Sequence, residues 1–217
     1  MALALFDLDN TLLGGDSDYE WGRFLVSQAL VDAEHYEREN QRFYDQYRAG
    51  RLDIQEFLRF SLAPLARYPR EELNAWRERF LHEQIDPIIL PAGRALLERH
   101  RQRGDTLAII TATNRFVTQP IAERLGVNNL LATEVQERDG RYTGLPSGVP
   151  CFREGKVTRL EQWLTELGGD LRDSWFYSDS HNDLPLLEKV DHPVAVDPDD
   201  QLTKLAHERG WPTISLR

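Results

Sequence analysis

The chain opens on an apolar run, Ala2-Leu3-Ala4-Leu5-Phe6, that stops at two carboxylates spaced i, i+2, Asp7 and Asp9, followed by Asn10 and Thr11. A run this short, broken soon afterwards by Gly14-Gly15, reads as one buried strand. Asp7 and Asp9 would then lie where the strand's carboxyl end opens into a crevice, the usual ligand position in open α/β sheets. Neighbouring carboxylates on an apolar strand end are costly to keep ionised without a cation. A hard, oxygen-ligated ion such as Mg2+ is the natural partner. An isolated Asp-x-Asp-Asn segment is also ordinary turn chemistry, because Asp and Asn bond their own backbone.

Bulk properties narrow the setting. A chain of 217 residues can bury a substantial core, as one domain or as a core with an insert. A formal charge of −10 disfavours nucleic acid and anionic membrane as partners. The N-terminal apolar run is too short for a membrane span and has no basic leader, so no signal peptide is expected. Cys151 is the single cysteine, which excludes an intrachain disulfide framework and a cysteine-based zinc site. The expectation is a cytoplasmic protein.

From Asp16 to about Ile85 the signals are helical. Trp21, Phe24 and Leu25 share one helical face, and Tyr36, Phe43, Tyr44 and Tyr47 recur at i, i+7, i+8, i+11. Asp53-Ile54-Gln55-Glu56 reads as a capping box that turns Ile54, Phe57 and Leu58 inward. Leu73, Trp76 and Phe80 mark a further helix started near Pro69. After Pro87 and Pro91 the elements alternate. Helices are expected over 95–103, 116–125, 156–167 and 184–189, and strands over 106–110, 175–177 and 194–196. A hairpin over 133–143 turns at Asp139-Gly140. This alternation predicts an α/β fold, a Rossmann-like doubly wound parallel sheet. The catalytic core is split, 1–13 joining 87–217, and 14–86 form an inserted helical cap.

Three further segments stand at predicted strand ends or helix starts. Ile110-Thr111-Ala112-Thr113-Asn114 offers a hydroxyl and free amides at a helix N-terminus, an anion site or a plain helix cap. Lys156 follows Gly155 at the start of a helical pattern and is one of only three lysines, with Lys189 and Lys204. Asp179 and Asp183 stand at i, i+4 in Tyr177-Ser178-Asp179-Ser180-His181-Asn182-Asp183-Leu184. They are placed to hold a cation and a neighbouring ammonium.

In this order the four segments resemble the haloacid dehalogenase superfamily of aspartate-nucleophile phosphohydrolases: Asp-x-Asp-x-Thr, then a hydroxyl, then lysine, then an Asp-x-x-x-Asp pair. The match covers nearly the whole chain and is nearest to the phosphoserine-phosphatase-like branch, which carries a helical cap between the first two motifs. The resemblance implies that Asp7 attacks phosphorus to give an aspartyl-phosphate, and that Asp9 acts as general acid and then base. It implies Mg2+ on Asp7, Asp179 and the main-chain carbonyl of Asp9. Thr111, Ala112 and Lys156 would hold the phosphoryl group, with Asp183 and Asn182 behind them orienting Lys156 or the metal. Dehalogenase relatives lack the second acid, here Asp9, and phosphonate-cleaving relatives need a cap lysine, of which 14–86 contain none. A phosphomonoesterase of small phosphate esters remains, or a phosphotransferase passing the same group to an alcohol.

In phosphoserine phosphatases of this kind an acid nine residues past the nucleophile binds the substrate amine. Here that position is Asp16, which is also a natural hinge or helix cap. Those enzymes clamp the substrate carboxylate with a cap arginine about eleven residues after a glycine. Counting from Gly50 reaches Ser61, and Arg59 stands two residues earlier. An amine site without that clamp suits an aminoalcohol phosphate, L-histidinol phosphate first and phosphoserine second. Trp21, Phe24, Tyr44 and Phe57 are the stacking candidates.

Overall fold

The computed structural model describes residues 2–217. Strand β1 (Leu3–Phe6) is buried along its whole length. Ala4 and Phe6 enter the apolar core on one side of the sheet, Leu3 and Leu5 the core on the other. That two-sided burial is why a run without polar alternation sits in the middle of the sheet.

Strands β2 (Thr106–Asn114) and β5 (Trp175–Ser178) flank β1, both parallel to it. Strand β3 (Asn129–Arg138) adds in parallel beyond β2, and β4 (Arg141–Ser147) closes that edge antiparallel. Strands β6 (His192–Val196) and β7 (Thr213–Ile214) extend the other side in parallel. The sheet order is β4-β3-β2-β1-β5-β6-β7. The chain builds outward from β1 on one side and then returns to its other side at β5. The order therefore reverses at β1, and Asp7 leaves the sheet at the topological switch point.

Helices α5 (Pro91–Gln102) and α6 (Arg115–Arg124) cover one face; α7 (Glu154–Leu167), α8 (Leu184–Leu187) and α9 (Asp200–Arg209) cover the other. Between β1 and α5 run α1 (Ser17–Ser27), α2 (Ala33–Arg48), α3 (Ile54–Arg67) and α4 (Arg70–Phe80). A π turn (Leu81–Ile85) and a 3-10 turn (Asp86–Ile88) lead back to the sheet. Asp16, Asp32 and Asp53 cap α1, α2 and α3 through their side chains. The helical segment leaves and rejoins the sheet domain side by side, where Leu13 bridges Ile89 and Gly14 N donates to Ile88 O at 2.7 Å.

The hairpin turns at Asp139-Gly140 as expected, with both residues at positive φ (52° and 76°). Its first strand starts earlier than the reading, because Asn129 to Leu131 pair with β2 in a segment buried on both faces that shows no alternation. Two elements escaped the sequence reading. Strand β7 is two residues long, and α9 buries only Leu202 and Ala206, too few positions to register as a period. Among the described residues no helix is long and apolar enough to cross a membrane.

Candidate active site

Asp7 is still held by the sheet, its amide donating to Tyr177 O at 2.9 Å. The chain then turns sharply: Leu12 and Leu13 donate to Leu8 O, and Asn10 takes a left-handed φ of 57° while its amide reaches Gly15 O. This tight loop brings the first turn of α1 back over the strand end. Ser17 N donates to Asp9 Oδ1 at 2.7 Å, and the Thr113 hydroxyl donates to Asp9 Oδ2 at 2.8 Å. Thr111 is buried at the end of β2, its hydroxyl accepting from Thr113 N at 3.2 Å.

Lys156 reaches across from the first turn of α7. Its Nζ donates to Asp7 Oδ1 and to Asp183 Oδ2, both at 2.7 Å, and all three side chains are buried. The Ser178 hydroxyl donates to the same Asp183 oxygen at 2.7 Å. Asp179 is fixed from another direction, with the Thr11 hydroxyl donating to Asp179 Oδ1 at 3.2 Å and Asp179 N donating to that hydroxyl at 3.1 Å. Asp7, Asp9, Asp16, Thr111, Lys156 and Asp183 line one cavity, as does Ala112. Asp179 lines the adjoining crevice with Asn10, Tyr44 and Tyr47.

Two sequence expectations are corrected by position. Asn182 does not stand behind the carboxylates. Its Oδ1 accepts from Arg153 Nε and Nη2 (3.1 and 2.9 Å), and its amide donates to Tyr47 O at 3.1 Å, so it ties the β5 loop to α2. Trp21 and Phe24 are not stacking partners. They pack on each other and on Phe80 in the core, where α1 is amphipathic toward the sheet domain. Arg59, by contrast, is exposed on α3 and does not line the cavity, in line with the expected lack of a carboxylate clamp. Of the stacking candidates Tyr44 and Phe57 do line it, joined by Phe43, Tyr47 and Phe152, which the sequence reading placed in the core or passed over. Position alone could not separate them, since Phe43 to Tyr47 share one helical face. Asp16 accepts at Oδ1 from Asp18 N and Tyr19 N (3.0 and 2.9 Å), so it is a helix cap that also faces the cavity.

Gly155 is what lets Lys156 come so close. A Cβ there would lie 2.0 Å from Pro150 O. Gly155→Ala must push the start of α7 away and carry the ammonium off Asp7. We expect kcat/KM to fall by about 10²-fold and stability to fall by about 1–3 kcal/mol, read by steady-state kinetics and urea unfolding of the same preparation. Wild-type kinetics in that variant would mean that the α7 start yields without moving the lysine.

The electrostatics follow from this crowding. Burial pushes the Asp7 carboxyl up to about 7 although Lys156 pulls it down, and Asp183 and Asp9 add to the rise. Burial likewise lifts Asp9 to about 6, with Asp16 adding to it and the Ser17 and Thr113 hydrogen bonds opposing. Asp179 is raised well above the usual carboxylate range by burial, Asp7 and Asp183. Burial acts to neutralise Lys156, but Asp183 and Asp7 outweigh it and keep the ammonium charged. One lysine thus faces more buried negative charge than it offsets. Among the described residues it is the one hydrogen-bond donor to the Asp7 side chain, leaving a carboxylate oxygen for another ligand. Hard oxygen donors with surplus negative charge fit a small divalent cation. No group of three or more His, Cys, Asp or Glu side chains forms a cage among the described residues. The expected donors are two carboxylates, Asp7 and Asp179, and the main-chain carbonyl of Asp9.

A doubly wound α/β sheet with an acid-rich crevice at its switch point and a buried lysine shared between carboxylates has the layout of an α/β enzyme. The chain belongs to the haloacid dehalogenase-like hydrolase family, whose model matches residues 4–188. It is 48% identical over 219 residues to a protein of Neisseria meningitidis serogroup C named histidinol-phosphatase, covering 99% of each chain. It is 33% identical over 213 residues to the phosphoserine phosphatase SerB1 of Mycobacterium tuberculosis, covering 97% of this chain and 69% of that one. Its fold matches the crystal structure of a protein of unknown function from Bordetella pertussis Tohama I with a TM-score of 0.94 and 45% identity, over 100% of this chain and 99% of that one. The chain is a phosphatase of this family, on its phosphoserine-phosphatase-like branch.

Proposed function

We propose that this protein is a Mg2+-dependent phosphomonoesterase that works through an aspartyl-phosphate on Asp7 and hydrolyses L-histidinol phosphate. The observation that carries the chemistry is the Lys156 ammonium held 2.7 Å from both Asp7 and Asp183, beside Asp9 and Thr111 in one cavity. One oxygen of the Asp7 carboxylate is the nucleophile, and Lys156, bonded to Oδ1, holds that carboxylate in place. The nucleophilic oxygen attacks phosphorus as the bond from phosphorus to the ester oxygen breaks. Asp9, aimed by Ser17 and Thr113, gives its proton to the departing alkoxide and later takes one from the water that releases phosphate. Thr111, the Ala112 amide and Lys156 bind the phosphoryl oxygens, and Asp183 keeps Lys156 in place. Bound Mg2+, on Asp7, Asp179 and the Asp9 carbonyl, would offset the combined negative charge of phosphoryl group and carboxylates.

Residues 14–86 serve as the cap over this site. The paired segments at Leu13 and Ile89 are the pivots, and the contacts of Asn182 with Tyr47 O and of Arg153 with Gly50 O hold it closed. Closure excludes water while the covalent bond forms. A cytoplasmic site of action fits a small soluble substrate of this kind.

The substrate assignment rests on the 48% identical relative named for histidinol phosphate and on the cavity's charge. Phosphoserine is the second reading, favoured by the SerB1 relative. Against it, among the described residues Lys156 is the one Lys or Arg on this cavity's wall and is already committed to Asp7, Asp183 and the phosphoryl group, which leaves that wall without a free cation for a substrate carboxylate. The test is phosphate release from L-histidinol phosphate, L-phosphoserine and p-nitrophenyl phosphate, with Mg2+ and after chelation. The expected order is histidinol phosphate well ahead of phosphoserine, with activity lost to chelator and restored by Mg2+. A phosphoserine preference overturns the substrate; full activity without divalent ions overturns the metal.

A further inference from the structure

The catalytic residues do not use all of the cavity's charge. Asp7, Asp9, Asp16, Asp18 and Asp183 line it against the single base Lys156. Lys156 serves Asp7, Asp183 and the phosphoryl group, and Asp9 is satisfied by Ser17 and Thr113. Asp16 spends one oxygen on the α1 amides.

Asp18 stands apart. It is only 9% exposed, yet among the described residues its side chain has a single hydrogen bond, from Asn114 Nδ2 at the 3.5 Å limit. A carboxylate buried to this extent with so little local compensation is costly unless a ligand supplies a donor. Burial, Asp16 and Asp9 all raise its pKa well above the usual range, in keeping with a group that lacks its counter-charge. Beside it on α2, Asn40 is 8% exposed and directs its amide to Tyr19 O, which leaves its side-chain carbonyl as a further acceptor on the same wall. The same cavity is lined by the apolar rings of Phe43, Phe57 and Phe152.

We infer that Asp18, assisted by Asn40, is a second recognition point that takes an N–H donor on a flat heterocyclic ring of the substrate, while Asp16 takes the primary amine. The inference rests on the substrate reading above and deepens it. The class of substrate is a phosphate monoester whose short chain carries both an amine and a nitrogen heterocycle and no carboxylate. Apolar walls hold the ring by its faces, and the acceptors fix its edge. A site built around a buried acceptor rejects analogues that lack the donor, because the acceptor is then left unpaired.

The test compares L-histidinol phosphate with 2-aminopropyl phosphate, which keeps the amine and lacks the ring, on the wild type, Asp18→Asn, Asp18→Ala and Asp16→Asn. The readout is the ratio of kcat/KM for the two esters on one sample, which is independent of how much of that sample is folded. Asp18→Ala should lower this ratio by about 10- to 100-fold, and Asp18→Asn, which keeps a carbonyl acceptor and loses the charge, should lower it by less. Asp16→Asn should weaken both esters together and leave the ratio within about threefold of wild type. If wild type prefers the ring ester and both Asp18 variants keep that preference, the inference falls and the substrate reading stands. If wild type treats both amines no better than p-nitrophenyl phosphate, the substrate reading falls and takes the Asp18 assignment with it.

Discussion

Asp7→Asn is expected to remove turnover by on the order of 10⁴-fold or more in kcat, because an amide cannot supply the attacking oxygen. The fold should survive. Asn keeps the volume of Asp, Lys156 retains its 2.7 Å bond to Asp183, and β1 stays buried on both faces. Melting temperature within a few degrees of wild type, with phosphate release at background, is the expected pair of readings. Acid-quenched wild type should carry a phosphoryl group on the peptide that contains Asp7, and the variant should not. Substantial activity in the variant, or a phosphoryl group mapped to another residue, would sink the assignment of the nucleophile.

Lys156→Ala should damage both activity and stability, and the contrast with Asp7 is informative. Removing the ammonium leaves Asp7 and Asp183 facing each other at 5% and 3% exposure with no cation between them. Breaking a buried ion pair from one side costs about 3–5 kcal/mol. Unfolding in urea should therefore show a loss of that order, with kcat falling by about 10²- to 10³-fold because the phosphoryl charge loses its fixed counter-charge. The double variant Lys156→Ala with Asp183→Asn should regain part of the stability and none of the activity. A single variant as stable as wild type would show that the three groups are not coupled as the 2.7 Å contacts require.

Much of this protein was legible from local pattern. An apolar run without alternation marked a buried strand, and Asp-Gly marked the hairpin turn. The four motifs in order carried the family resemblance that gathered Asp7, Asp9, Thr111, Lys156, Asp179 and Asp183 into one site. These features are readable because strand ends and helix starts are local events, and a residue's place in its own element is set by neighbours within a few positions. The aromatics of α1 and α2 were not resolvable in this way. Trp21 and Phe24 are core while Tyr44 and Tyr47 face the cavity, yet all lie on amphipathic helices. Which apolar stripe meets core and which meets the crevice depends on how the helices cross, and no periodicity within one helix encodes that.

The amino-acid order by itself determined a parallel α/β sheet, its split by a helical segment and the identity of the charged groups. Tertiary structure alone decided how those charges are shared. Lys156 lies 149 positions from Asp7 and 27 from Asp183, and only the meeting of α7 with the ends of β1 and β5 makes one ammonium serve both. The same folding step turned Asn182 toward α2 and left Asp18 buried with one weak partner. Electrostatic energy depends on distance through space and on exclusion of water, and neither quantity exists for a side chain until the elements have packed.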